Sequence, residues 1–139
     1  MHTTPYIFFD GKCAEALAFY EKVLGARIEA RLTYGESPAA SHVPPAMHGN
    51  IIHARLRIGD AVVLASDGGE PGEVPHKAAR FSLCVDAATH AEAERIFRDL
   101  SEGGEVRMKM DKTFFAERFG MATDRFGIPW MVICEKAGT

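Results

Sequence analysis

Residues 80–104, RFSLCVDAATHAEAERIFRDLSEGG, repeat the order of residues 6–25, YIFFDGKCAEALAFYEKVLG. Each is a short apolar run, then a helical stretch, then glycine. Tyr6-Ile7-Phe8-Phe9 is apolar and aromatic, as strands are, and Asp10-Gly11 ends it. Cys13, Leu17, Tyr20 and Leu24 fall near one stripe, which predicts a helix from Cys13 to Leu24. Gly25 suits the left-handed cap that closes such a helix. In the later segment Arg80 to Val85 reads as a strand. Thr89-His90-Ala91-Glu92 fits a capping box. Ala93, Ile96, Phe97 and Leu100 then follow at i, i+3, i+4 and i+7, the spacing of an amphipathic helix, and Gly103-Gly104 stops it.

Working outward, each segment leads into three further strands. After Gly25 these are Ala26 to Tyr34, then Ile51 to Ile58 and Ala61 to Ser66, the last two joined by the turn Gly59-Asp60. A loop rich in proline, serine and histidine, residues 35–49, separates the first from the second. After Gly104 they are the alternating run around Val106, Met108 and Met110, then Gly120 to Thr123 and Trp130 to Cys134. The last two are joined by Asp124-Arg125-Phe126-Gly127-Ile128-Pro129, a turn-like segment. The period of about 75–80 residues is too long for a solenoid and fits a duplicated unit. The fold class is therefore α+β, with two βαβββ modules whose curved sheets enclose a pocket. The first module spans residues 1–67 and the second 79–139. Residues 68–78, dense in glycine and proline, link them.

Composition sets limits on this reading. A chain of 139 residues with 47% apolar and 25% charged residues has enough apolar side chains for an ordinary core. A net charge of −3 and a pI near 6.1 argue against a nucleic-acid partner, which selects a basic face. No basic stretch followed by a long apolar run opens the sequence, and no run of about 18 apolar residues occurs, so a cytoplasmic protein without membrane contact is expected. Cys13, Cys84 and Cys134 are odd in number and lack CxxC spacing; they read as buried thiols in a reducing compartment. No glycine-rich loop follows a strand and opens a helix, and no Gly-x-Ser-x-Gly elbow occurs.

Several motifs are distinctive: Pro5-Tyr6-Ile7, Ala18-Phe19-Tyr20, Leu24-Gly25, the stretch IHARLRIG at residues 52–59, and TDRFGIPW at residues 123–130. With them the chain resembles the PhnB-like branch of the vicinal-oxygen-chelate (glyoxalase/bleomycin-resistance/dioxygenase) superfamily, over nearly its whole length. Some members of that branch are named demethylubiquinone 3-methyltransferase. The resemblance implies paired βαβββ modules and a homodimer with pockets shared between chains. It also implies metal ligands, usually His, Glu or Gln, on the first and last strand of each module. Those positions fall on Pro5, Leu64, Arg80 and Met131. None is a usual ligand for a divalent metal, and a guanidinium repels a cation. Neither a metal nor another cofactor is expected.

The expected pocket is apolar, lined by Ile7, Phe9, Leu64, Met131 and Ile133, with Arg80 or His53 orienting an acidic ligand. His53, Arg55 and Arg57 share one face of an alternating strand, which either holds an anion or is solvated. Phe115 is expected to flank the pocket mouth, at a position where relatives often carry tryptophan. Trp130 either stacks on a ligand or packs in the core. Glu36, at a position that recurs in the branch, His53 and Glu117 are the candidate proton handlers if the protein is an enzyme. The histidines His42, His48 and His53 match no zinc spacing. Two functions stay open: a metal-free binding protein for a small, acidic, partly apolar molecule, or an acid–base enzyme acting on a small metabolite.

Overall fold

The computed structural model describes residues 1–68 and 81–135. Arg80 and most of the expected linker lie outside them. Contacts divide the chain into two compact units, residues 1–75 and 76–139.

The first unit contains β1 (Tyr6–Phe8), α1 (Cys13–Leu24), β2 (Arg27–Thr33), β3 (Ile51–Ile58) and β4 (Ala61–Ser66). Its strands form one mixed sheet in the order β1-β4-β3-β2, with β1 parallel to β4 and the other pairs antiparallel. The second unit contains β5 (Leu83–Asp86), α2 (His90–Ser101), β6 (Glu105–Asp111), β7 (Arg118–Thr123) and β8 (Pro129–Cys134). Its sheet has the equivalent order β5-β8-β7-β6. Both modules are thus the expected βαβββ unit. β5 begins at Leu83, later than the strand expected from Arg80.

Local chemistry fixes each helix. α1 ends at Gly25, which takes the left-handed conformation at φ 65°. α2 begins at Thr89, whose hydroxyl accepts the Glu92 N–H at 3.1 Å. One face of α1 buries Cys13, Ala16, Leu17, Tyr20 and Val23; the sheet of its unit buries Ile7, Ala54, Leu56, Val63 and Ala65. In the second unit Ala93, Ile96, Phe97 and Leu100 of α2 meet the side of the sheet that carries Gly120, Ala122, Trp130 and Val132. Each fully buried leucine or isoleucine here contributes about 1.5–3 kcal/mol. No helix among the described residues is long and apolar enough to cross a membrane.

Two buried carboxylates tie the strand ends. Asp67, just past β4, accepts the Cys13 N–H at 2.8 Å and the Ile51 N–H at 2.9 Å, joining the start of α1 to the start of β3. Asp124, after β7, accepts from the amides of Phe126 and Ile128 and from the Trp130 indole at 2.9 Å. It closes the turn in which Gly127 takes φ 85°. Among the distinctive motifs, the stretch from Asp124 to Trp130 is therefore a structural device.

Candidate functional site

With one face of each sheet covered by its helix, the other face is where side chains stay available, and strand parity decides which. In β1, Ile7 is 4% exposed and Phe9, just beyond the strand, is also 4% exposed, its ring 6.4 Å from that of Tyr20 on α1. These two, expected to line a pocket, are core residues. Tyr6 and Phe8 take the open face instead, at 41% and 42% exposure. Their rings stack at 5.1 Å with 22° between planes. Tyr6 pairs with Leu64, and Leu64 with Arg55, so the three form a row across β1, β4 and β3. Leu64 is half-buried on this face.

His53 lies on the same open face and is exposed. Its Nδ1 is 3.0 Å from the Tyr6 hydroxyl, and the two rings are 5.7 Å apart. With Tyr6 donating, the neutral imidazole keeps its proton on Nε2 and can donate it outward. Tyr6, Phe8, Leu64 and His53 thus form an apolar shelf with one polar, titratable edge. Arg55 and Arg57 share the face but donate through Nε to Glu29, at 2.9 and 2.7 Å, and Arg27 is 3.9 Å from the same carboxylate. Arg57 and then Arg55 hold the Glu29 carboxyl below the usual carboxylate range. Three guanidiniums around one carboxylate leave the strand face positively charged.

The other expected proton handlers are placed differently. Glu36 accepts from the Thr33 hydroxyl at 2.8 Å and the Thr33 N–H at 3.0 Å. These bonds hold its carboxyl below its ordinary range, and its role is to close a local turn. Glu117 is 3.9 Å from Nε2 of His90 at the start of α2. His48 donates to the Ala40 carbonyl at 2.9 Å within its own loop.

In the second module Met131 and Ile133 are half-buried on the face away from α2. Trp130 points the other way; it is 2% exposed and bonded to Asp124, so it is a core residue rather than a stacking platform. Phe115 is exposed and stands edge-on to both Phe114 and Phe119 at 5.1 Å. Cys13 and Cys134 are buried, and burial, with Asp67 beside it, pushes the Cys13 thiol up to about 12. Cys84, expected to be buried, is exposed on β5.

The residues present do not fit a divalent metal at the superfamily's ligand positions. Leu64 offers no donor atom and Met131 only a thioether. Across from Leu64 stands Tyr6, whose hydroxyl is engaged with His53. Among the described residues no group of three or more His, Cys, Asp or Glu could hold a metal ion.

Two βαβββ modules with 1-4-3-2 sheets define the glyoxalase/bleomycin-resistance/dioxygenase fold class. A domain of that description from Frankia sp. EAN1pec shares it, with a TM-score of 0.62 at 13% identity, covering 99% of this chain and 92% of that one. Within the class, the family described as 3-demethylubiquinone-9 3-methyltransferase matches residues 1–133, and the chain belongs to it. It is 34% identical to Protein YjdN of Escherichia coli (strain K12) over 95% of this chain and 94% of that protein. It is 42% identical to protein PA1353 from Pseudomonas aeruginosa, whose crystal structure matches with a TM-score of 0.83 over 97% of this chain and 98% of that one.

Proposed function

We propose that this chain binds a small, acidic and partly apolar molecule on the open face of its first module, without a divalent metal. The observation that carries the reading is the exposed Tyr6–Phe8 ring pair with His53 bonded to the Tyr6 hydroxyl at 3.0 Å. Stacked rings beside Leu64 suit an apolar body. The His53 imidazole and the arginine-rich strand behind it suit an anionic end. The protein is proposed to act in the cytoplasm as a homodimer, on the strength of the family resemblance.

The family description names a methyltransferase. β1 runs into α1 through Phe9, Asp10, Gly11 and Lys12, with one glycine, and the Asp67 carboxylate already caps the first N–H of α1. A buried acidic side chain at that helix start repels a cofactor phosphate or carboxylate. Binding therefore outranks methyl transfer as a reading. The Tyr6–His53 contact supports one alternative, acid–base chemistry on the bound molecule with His53 moving the proton.

The test is a panel of carboxylates with apolar bodies, each matched to its neutral amide, screened by ligand-observed NMR on the full chain. Carboxylates should bind, and His53→Ala and Tyr6→Ala should each weaken them about fivefold or more. Equal binding of the amides would overturn the reading, as would binding that appears only after a divalent metal is added.

A further inference from the structure

The open face of the second module carries sulfur in register. Cys84 on β5 pairs with Met131 on β8. Met131 pairs with Met121 on β7, and Met121 with Met108 on β6. Directly paired residues project to the same face of a sheet. Here it is the face away from α2, because Trp130, Val132 and Cys134, which alternate with Met131, are buried. One sulfur side chain from each of four strands thus stands in a single row, with neighbouring strands about 4.7–4.9 Å apart. The chain has six methionines, and three of them fall in this row. Cys84 and Met108 are exposed, and Met121 and Met131 are half-buried, so the row is accessible.

We propose that Cys84, Met131 and Met121, with Met108 at the open end of the row, bind a soft monovalent cation, copper(I). Thiolate and thioether sulfurs are the donors this ion selects; manganese and magnesium call for oxygen ligands, and zinc, which takes thiolates and imidazoles, finds one cysteine here among neutral thioethers. Methionine has three rotatable bonds, so thioethers on adjacent strands can converge on one ion. Asp86, two residues along β5 and paired with Ile133 on the same face, adds a negative charge. The Cys84 thiol carries a proton that a bound metal must displace, because the ligand is the thiolate. Binding replaces that proton: the thiol and copper(I) give a copper-bound thiolate and one released proton, with no change of oxidation state. Affinity therefore rises with pH. The proposal concerns the second module and goes beyond the ligand reading of the first.

The experiment titrates the reduced full chain anaerobically with copper(I) against a chromophoric copper(I) chelator, and follows methionine methyl groups by NMR with silver(I) as a redox-inert probe. The expected result is one ion per chain, with methyl shifts at Met121 and Met131. Cys84→Ser and the nearly isosteric Met131→Leu should each weaken binding at least tenfold, and Met110→Leu and Met47→Leu should leave it unchanged. Far-UV circular dichroism checks that each variant is folded. Failure to compete with the chelator would overturn the proposal. So would a Met121→Leu/Met131→Leu double variant that binds like the parent, or silver binding that leaves the methionine methyls unmoved.

Discussion

Asp124→Asn tests the packing that sets the β7–β8 register, and with it the positions of Met121, Met131 and Ile133. The carboxylate is buried, with Oδ1 accepting from Phe126 N at 2.8 Å and Ile128 N at 3.0 Å and Oδ2 accepting from Trp130 Nε1 at 2.9 Å. Asparagine keeps one acceptor oxygen. If that oxygen stays on the two backbone amides, the new NH2 faces the indole N–H, donor against donor. The variant loses a hydrogen bond to a charged group, about 1.5–3 kcal/mol, and strands a buried donor as well, so the expected cost is about 2–4 kcal/mol. Trp130→Phe alone leaves Oδ2 without its indole partner and should cost about 1.5–3 kcal/mol. Combined, the two changes remove the opposed donors, so the double variant should be about 1–2 kcal/mol more stable than the sum of the single effects. Urea unfolding followed by far-UV circular dichroism measures this; tryptophan fluorescence cannot, because Trp130 is the sole tryptophan. An Asp124→Asn cost below about 0.5 kcal/mol, or strict additivity in the double variant, would refute the reasoning.

Other expectations follow from named contacts. Gly120→Ala places a Cβ 2.7 Å from the Phe97 ring, and chemical denaturation should show a loss of about 1–3 kcal/mol, partly recovered by adding Phe97→Leu. Iodoacetamide at pH 8 should modify Cys84 alone, with Cys13 and Cys134 reacting only after unfolding; peptide mass mapping reads this. Because the Cys84 thiol is pushed up, its rate should keep climbing above the pH where an ordinary thiol levels off. Glu29 is held low by Arg57 and Arg55, so its contribution to stability is present above the ordinary carboxylate pKa and lost as pH falls through the lowered one. Side-chain carboxyl NMR should show Glu29 titrating nearer its ordinary value in Arg57→Gln.

The helices were legible because their signals are local. Apolar spacing, Gly25 and Thr89 needed no tertiary information, and the repeat of strand, helix and strands then gave the duplicated fold. The site was legible only in part. Tyr6-Ile7-Phe8-Phe9 is apolar at both parities, so no alternation reveals which residues face α1, and Ile7 and Phe9 were placed on the wrong side. The Tyr6 hydroxyl was the available clue, since a tyrosine suits a face where its polar tip reaches water or a partner. The parity of Leu64, Met131 and Ile133 is easier to follow, because their strands lie between marked turns. The Tyr6–His53 bond joins residues 47 apart, and the sulfur row needs the register of four strands, one of them bulged near Met108. Neither can be read from spacing along the chain.

The most direct test of the account is NMR shift mapping of the isotopically labelled protein with the tightest carboxylate from the panel, first in EDTA and then with added nickel. The account predicts shifts centred on Tyr6, Phe8, His53 and Leu64, with the same affinity in both conditions. Shifts that leave those residues unmoved, or binding that EDTA abolishes and nickel restores, would contradict it.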